Sequence, residues 1–146
     1  MSCDETAKPA RPAAQSPRAT VIVSVCTTCR SGPADEEVRV GTLVFDAVKP
    51  VLNARAPDVL VRPVQCLGVC KRPTTVAVSG PDGYTFVFAD LSPDTAPAAL
   101  ATFVEQYRNA DHGSVPWRAR PEVLRRGLVA RIPSAAWSPE DGRPPP

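Results

Sequence analysis

Two short segments rich in β-branched residues each run directly into a pair of cysteines. The segment "ATVIVSV" precedes Cys26 and Cys29, and "DVLVRPVQ" precedes Cys66 and Cys70. Short apolar runs of this composition predict buried strands. Both cysteine pairs are therefore expected at strand ends, and this placement restricts the fold more than any other feature of the chain.

The 36 residues between Cys29 and Cys66 include a predicted helix. The acidic run Asp35 to Glu37 lies near its start, where the helix dipole favours negative charge. Pro50 is expected to kink or divide it, because proline lacks a backbone donor. A strand, a crossover helix and a strand form a parallel pair, so both cysteine loops should emerge at one sheet edge. The apolar residues at helical spacing are Val40, Leu43, Val44, Ala47, Val48, Val51 and Leu52.

The second half of the chain predicts a hairpin and another helix. The runs "TTVAVSG" and "YTFVFAD" flank a turn at Pro81 to Gly83, which is typical of a β-hairpin. The helix follows in "SPDTAPAALATFVEQYRNA", with a buried stripe of Leu100, Phe103, Val104 and Tyr107. The order β-α-β-β-β-α predicts an α/β fold with a thioredoxin-like mixed sheet, followed by an Arg/Pro-rich C-terminal extension.

Composition divides the chain into four parts. Residues 1–19 are expected to be a flexible tail, residues 20–110 the thioredoxin-like domain that carries both cysteine pairs, residues 111–137 an extension packed on it, and residues 138–146 a second tail. The first 19 residues contain no apolar run typical of a signal peptide, and no stretch of about 18 apolar residues predicts a membrane span. We therefore expect a cytoplasmic protein with no membrane association.

The charge distribution argues against a nucleic-acid partner. From Thr20 to Ala110 there are eight Lys or Arg residues against nine Asp or Glu residues, whereas nucleic-acid binding needs a strongly basic face. The C-terminal segment differs, with five arginines and one acid between Gly113 and Trp137. A short helix is predicted between Pro121 and Gly127, with Val123, Leu124 and Leu128 facing inward. This segment either wraps the domain or uses Trp117 and its arginines to dock an acidic protein partner.

Four cysteines at strand ends are first of all candidates for binding a metal centre. Without a secretory signal, paired cysteines more often bind metal or perform redox work. Four thiolates suit tetrahedral zinc or a [2Fe–2S] cluster, and Arg30, Lys71 and Arg72 would favour negative sulfur and tune a reduction potential. Gly68 would permit backbone hydrogen bonds to sulfur.

The remaining alternatives are a thiol–disulfide exchanger that uses Cys26 and Cys29, and cysteines that only fill the core. Cys3 lies in the tail and is interpreted as a bystander. His112, the single histidine, is interpreted as a surface residue rather than a ligand.

Several blocks of the sequence resemble known families. "CLGVC", followed by the hairpin and the last helix, resembles thioredoxin-like [2Fe–2S] ferredoxins and the related small subunit of respiratory complex I. "CTTCR", "CLGVCKRP", "VFADLSP", "VPWRARPEVLR" and "ARIP" resemble more closely DUF1636, a bacterial family described as predicted metal-binding. Its members often carry another cysteine where this chain has Thr74 or Thr75. The ferredoxins usually space their first two cysteines more widely than Cys26 and Cys29.

The resemblance implies that the ligands are Cys26, Cys29, Cys66 and Cys70. It implies a metal-binding protein, and first of all a [2Fe–2S] one-electron carrier. This carrier would serve an oxidoreductase or a metal-handling system. Genes of the family are often associated with cobalamin-related functions, which favours the metal-handling system. Such a carrier is not itself an enzyme. A zinc-binding or metal-trafficking module is the alternative, and homodimerisation stays open.

Overall fold

A computed structural model of the chain describes residues 20–28 and 39–146. Five strands form a single mixed sheet in the spatial order β2-β1-β3-β4-β5. The strands and helices are β1 (Ile22–Cys26), α1 (Val40–Arg55), β2 (Leu60–Val64), β3 (Val76–Ser79), β4 (Thr85–Phe88), α2 (Ala96–Asn109), α3 (Glu122–Arg126) and β5 (Leu128–Ile132).

The sheet confirms the predicted order of its first six elements and adds one strand. β1 and β2 are parallel, while β3 pairs antiparallel with β1 and β4 antiparallel with β3. β5 pairs antiparallel with β4 and lies within the segment that the sequence predicts as a packed extension. The strand was not predicted because its sequence, "LVARI", is short and follows directly on a helix.

α1 is continuous through Pro50, so the predicted kink or division of this helix is wrong. Proline removes the donor to the carbonyl of Asp46, four residues earlier. Both side chains are exposed, so water can satisfy that carbonyl. The helix begins at Val40 with no acid in its first turn, and the predicted acidic start, Asp35 to Glu37, lies outside the described residues.

α1 and α2 pack together over the sheet and enclose the core. α1 contributes three fully buried side chains, and the stripe predicted for α2 is buried as expected. The ring of Phe103 meets the rings of Phe86 and Phe88 edge to face, with 5.1 Å between centroids in each pair. Edge-to-face pairs add to the stabilisation from buried area, so β4 and α2 form the aromatic half of the core. The buried side chains of α1 are Val44, Val48 and Leu52.

The C-terminal segment is anchored by two side chains. The predicted short helix is present as α3, and its Leu124 is fully buried. Trp137 is 5% exposed; its indole N–H donates to Asp82 Oδ1 at 3.0 Å, and its ring lies 4.8 Å from that of Tyr84. Within the part of the chain that the structure describes, no helix is long and apolar enough to cross a membrane.

The two tryptophans should differ in their contribution to stability. We expect Trp137→Ala to lower the free energy of unfolding by about 3 kcal/mol, because it empties a buried site. Trp117→Ala should change it by less than about 1 kcal/mol, because Trp117 is 54% exposed and an exposed cation–π contact is worth little. Urea unfolding followed by far-ultraviolet circular dichroism measures both, and equal effects would contradict the packing described for Trp137.

Candidate metal centre

Parallel pairing of β1 with β2 brings the two cysteine segments to the same edge of the sheet. Cys26 is the last residue of β1 and is in register with Val64, the last residue of β2. The backbone N–H of Thr27 donates to the Val64 carbonyl at 2.9 Å, and the Thr28 hydroxyl donates to the Gln65 carbonyl. Cys66 follows directly, so the predicted meeting of the two strand ends is confirmed.

Cys66 and Cys70 form a close pair of exposed thiols. Their sulfur atoms are 3.9 Å apart, which is too long for a disulfide. Two thiolates on one tetrahedral zinc, with bonds of about 2.3 Å, would be separated by about 3.8 Å. The pair therefore has the spacing of two ligands on a single metal ion.

Gly68 gives the loop between these cysteines its shape. Its φ is +81°, a left-handed conformation that glycine adopts without steric penalty. In this conformation its backbone N–H donates to the Cys66 sulfur at 3.2 Å. Hydrogen bonds of this kind stabilise negative sulfur and raise the reduction potential of iron–sulfur sites. The role predicted for Gly68, a backbone donor to sulfur, is present.

Cys26 occupies a different environment at the same edge. Its side chain is 2% exposed, and its sulfur lies 3.6 Å from the Gln65 carbonyl oxygen and 3.7 Å from the Thr28 hydroxyl. Cys29 and Arg30 lie outside the described residues. Within residues 20–28 and 39–146, no group of three or more His, Cys, Asp or Glu side chains stands ready to hold a metal ion.

Cys66 changes the ionisation of Cys70. The pKa of the Cys70 thiol is raised above its ordinary value, first by its hydrogen bond to Cys66 and then by the negative charge of that neighbour. Cys26 adds a smaller repulsion of the same sign, so its sulfur lies within electrostatic reach. A cation beside two such sulfurs would favour their thiolate forms. The donor chemistry of Cys66 and Cys70 therefore fits a metal or a cluster.

The two cations beside Cys70 have different surroundings. Arg72 donates to Asp90 Oδ2 from Nε at 2.9 Å and from Nη2 at 2.8 Å. This forked ion pair ties the cysteine loop to the end of β4 and offsets much of the positive charge of Arg72. Lys71 is exposed and has no carboxylate partner among the described residues, so its charge remains available near the thiols.

Gly41 positions Cys26, a role that the sequence analysis missed. A Cβ atom at Gly41 would lie 2.1 Å from the Cys26 carbonyl oxygen. The first turn of α1 therefore packs directly on the backbone that carries the ligand candidate, and the Thr42 hydroxyl donates to the Thr27 carbonyl at 3.3 Å. A glycine inside an otherwise apolar helical pattern was the signal that could have revealed this close approach.

Three other residues singled out in the sequence lie in other settings. Thr75 is buried beside Cys26, and its carbonyl accepts the Cys26 backbone N–H at 3.0 Å. His112 lies near the other end of the sheet, with its Nδ1 3.2 Å from the Asp82 carbonyl oxygen. Trp117 belongs to the C-terminal segment, where it stacks on Arg120. We call the sheet edge that carries Cys26, Cys66 and Cys70 the cysteine edge. It is built by β1, the loop after β2 and the first turn of α1.

Comparison with known proteins assigns the family. The family described as "Protein of unknown function (DUF1636)" matches residues 23–134. The chain belongs to the DUF1636 family. The matched range includes every cysteine except Cys3 and ends just after β5, so the fifth strand lies within the range that the family model matches. No curated protein matches the chain.

Two solved structures are similar to this DUF1636 protein, and the one with a TM-score above 0.5 shows the fold. A structure of a thioredoxin-like [2Fe–2S] ferredoxin from Aquifex aeolicus matches with a TM-score of 0.51 at 18% identity, covering 81% of this chain and 98% of the other. A 1.5 Å crystal structure of the wild-type thioredoxin-like [2Fe–2S] ferredoxin from the same organism matches with a TM-score of 0.49 at 19% identity, covering 76% and 97%. The protein has the thioredoxin-like ferredoxin fold, as the sequence predicted.

Replacement of Gly41 by alanine tests the close packing at Cys26. In a helix without this contact, Gly→Ala stabilises by about 1 kcal/mol. Here we expect the free energy of unfolding to fall by about 1 to 3 kcal/mol, because the new methyl group overlaps a backbone oxygen. Urea unfolding measures the difference. Asn53→Ala, at an exposed position of the same helix, is the control and should be neutral or slightly stabilising.

The coupling of the exposed thiols predicts a pH effect in the metal-free protein. Cys66 raises the pKa of Cys70, so Cys66→Ser should lower that pKa towards its ordinary value. Alkylation of Cys70 by iodoacetamide requires the thiolate and should therefore begin at a lower pH in the variant. Peptide mapping by mass spectrometry follows Cys70 alone, and an unchanged pH profile would show that the two thiols are not coupled.

Proposed function

We propose that this protein binds a metal centre through Cys26, Cys29, Cys66 and Cys70, and that the centre is a [2Fe–2S] cluster used for one-electron transfer. One observation carries the proposal. Two exposed thiols stand 3.9 Å apart at the sheet edge where the strand bearing Cys26 also ends. Cys29 joins the set through its spacing in Cys-Thr-Thr-Cys, three residues after Cys26.

Each part of the cysteine edge has a definite role in this proposal. A [2Fe–2S] cluster supplies reversible uptake and release of a single electron. Cys66 and Cys70 would hold its exposed side, and the Gly68 N–H would stabilise charge on the Cys66 sulfur. Lys71 would favour the reduced state, because a nearby cation offsets the added negative charge. Arg72, held by Asp90, would fix the loop that carries both thiols.

The fold favours iron–sulfur over zinc as the occupant. The solved structures with this fold are named [2Fe–2S] ferredoxins, and the four cysteines follow strands of an α/β sheet rather than the hairpin knuckles typical of zinc ribbons. Zinc, as a structural ion or in transit, is the second candidate. The sulfur separation in the Cys66–Cys70 pair suits a tetrahedral zinc ion equally well.

Burial of Cys26 argues against thiol–disulfide exchange as the main activity. An attacking thiolate must reach the disulfide of its substrate, and the Cys26 side chain is only 2% exposed. An electron carrier would have no substrate of its own, and would serve an oxidoreductase or a metal-handling system in the cytoplasm. The cobalamin-related association implied by the family resemblance favours a metal-handling system as the partner.

Anaerobic purification followed by metal analysis tests the proposal. We expect visible charge-transfer absorption, with two irons and two acid-labile sulfides per chain. Cys66→Ser, Cys70→Ser and Cys26→Ser should each remove most of the cluster, while Cys3→Ser, in the predicted tail, should leave it intact. A colourless protein with one zinc per chain would show that the bound metal is zinc, the second candidate. A protein without metal would refute both.

A further inference from the structure

The outer edge of β5 is an unpaired sheet edge. β5 is the last strand in the order of the sheet and pairs only with β4 among the described strands. Two apolar side chains of β5, Val129 at 38% and Ile132 at 48%, are exposed. Charge on an open edge discourages non-specific pairing, and the positive charge of Arg131 would repel a cationic strand while it attracts an acidic one.

The C-terminal segment that leads into this edge carries positive charge without matching carboxylates. Of the five arginines between Gly113 and Trp137, only Arg126 is paired with an acid of the described chain, the adjacent Glu122 at 3.8 Å. The other four have no such partner in residues 20–28 and 39–146. These four are Arg118, Arg120, Arg125 and Arg131.

Two of these arginines converge on one face of the sheet. Arg131 is directly opposite Phe86 in the β4–β5 register, and residues opposite each other share a face. The guanidinium of Arg131 lies 4.2 Å from the centroid of the Tyr84 ring, and that of Arg120 lies 5.0 Å from the centroid of Phe86. Arg120 is also buried, with its Nε and Nη2 donating to the Val115 carbonyl.

Trp117 completes the surface. Its indole covers the Arg120 guanidinium at 5.6 Å, yet 54% of the residue is exposed. Burial and the charge of Arg131 both lower the pKa of Arg120, so the two cations repel each other. A bound anion would relieve that repulsion, and an exposed tryptophan provides a rigid apolar contact beside it.

We propose that β5, Trp117 and Arg131, with Arg120 buried beneath them, form a docking surface for an extended acidic segment of a partner protein. The segment would add to β5 as a sixth strand, with its main chain bonded to the open edge. Its carboxylates would face Arg131. This surface is separate from the cysteine edge and does not depend on what that edge binds.

Charge decides between this occupant and a second copy of the chain. Antiparallel pairing of two β5 strands would bring two arginine-rich surfaces together, and like charges across strands are destabilising. An acidic segment instead gains from the exposed guanidinium of Arg131. Single-stranded nucleic acid also stacks on tryptophan and binds arginine, but it cannot form the main-chain hydrogen bonds that an open strand edge offers.

Binding of a synthetic peptide to the full-length protein tests the proposal. The probe is a fluorescein-labelled peptide of alternating Glu and Val residues, which places all carboxylates on one face of a strand. A Gln–Val peptide of the same length is the neutral control. We expect anisotropy to show binding of the acidic peptide alone, weakened at least tenfold between about 20 mM and about 300 mM salt.

Variants and hydrogen exchange locate the bound peptide. Arg131→Glu should weaken binding about tenfold or more. Lys49→Glu, the same charge reversal at an exposed position of α1, should change it less than about twofold. Amides of β5 should become protected from deuterium exchange when the peptide binds. Circular dichroism checks that each variant is folded.

Four results would overturn the proposal: no binding, equal binding of the neutral peptide, equal loss in Lys49→Glu, or binding without protection of β5. Tighter binding of an oligothymidylate than of the peptide would assign the surface to nucleic acid instead. Cys66→Ser should bind the peptide as the wild type does, and Arg131→Glu should keep the metal content of the wild type. Failure of this proposal and failure of the cysteine centre are therefore distinguished.

Discussion

Everything at the cysteine edge depends on the parallel pairing of β1 with β2. Cys26 ends the first strand, and Cys66 and Cys70 lie just beyond the second, separated from Cys26 by a whole crossover helix. Hydrogen bonds from Thr27 and Thr28 to the carbonyls of Val64 and Gln65 continue the pairing past the strand ends. A shift of register between these two strands would move one cysteine segment relative to the other by a full residue spacing.

The edge combines one buried and two exposed thiols. Cys26 is enclosed by the first turn of α1, where Gly41 leaves no room for a side chain, whereas Cys66 and Cys70 lie on a surface loop fixed by Gly68 and by the Arg72–Asp90 ion pair. A rigid buried donor and a more accessible pair suit a centre that must be held firmly and still be approached by another protein.

Sequence patterns predicted most of the fold and part of the candidate site. Runs of β-branched and aromatic residues located the first four strands, and apolar residues at helical spacing located the two long helices. β5 was missed, since its five residues are few and follow directly on a helix. The continuity of α1 at Pro50 depends on exposure, which a linear pattern does not contain. The contact between Gly41 and Cys26, and the pairing of Arg72 with Asp90, depend on tertiary packing across distant segments.

The placement of the ligand candidates along the chain has a consequence for biosynthesis. All four cysteines of the proposed centre occur within the first 70 residues, whereas the strand that closes the far side of the sheet ends at Ile132. Chains emerge from the ribosome from the amino terminus and begin to fold in that order. The sulfur donors are thus synthesised well before the last strand is available, so a nascent chain presents them while its aromatic half is still incomplete.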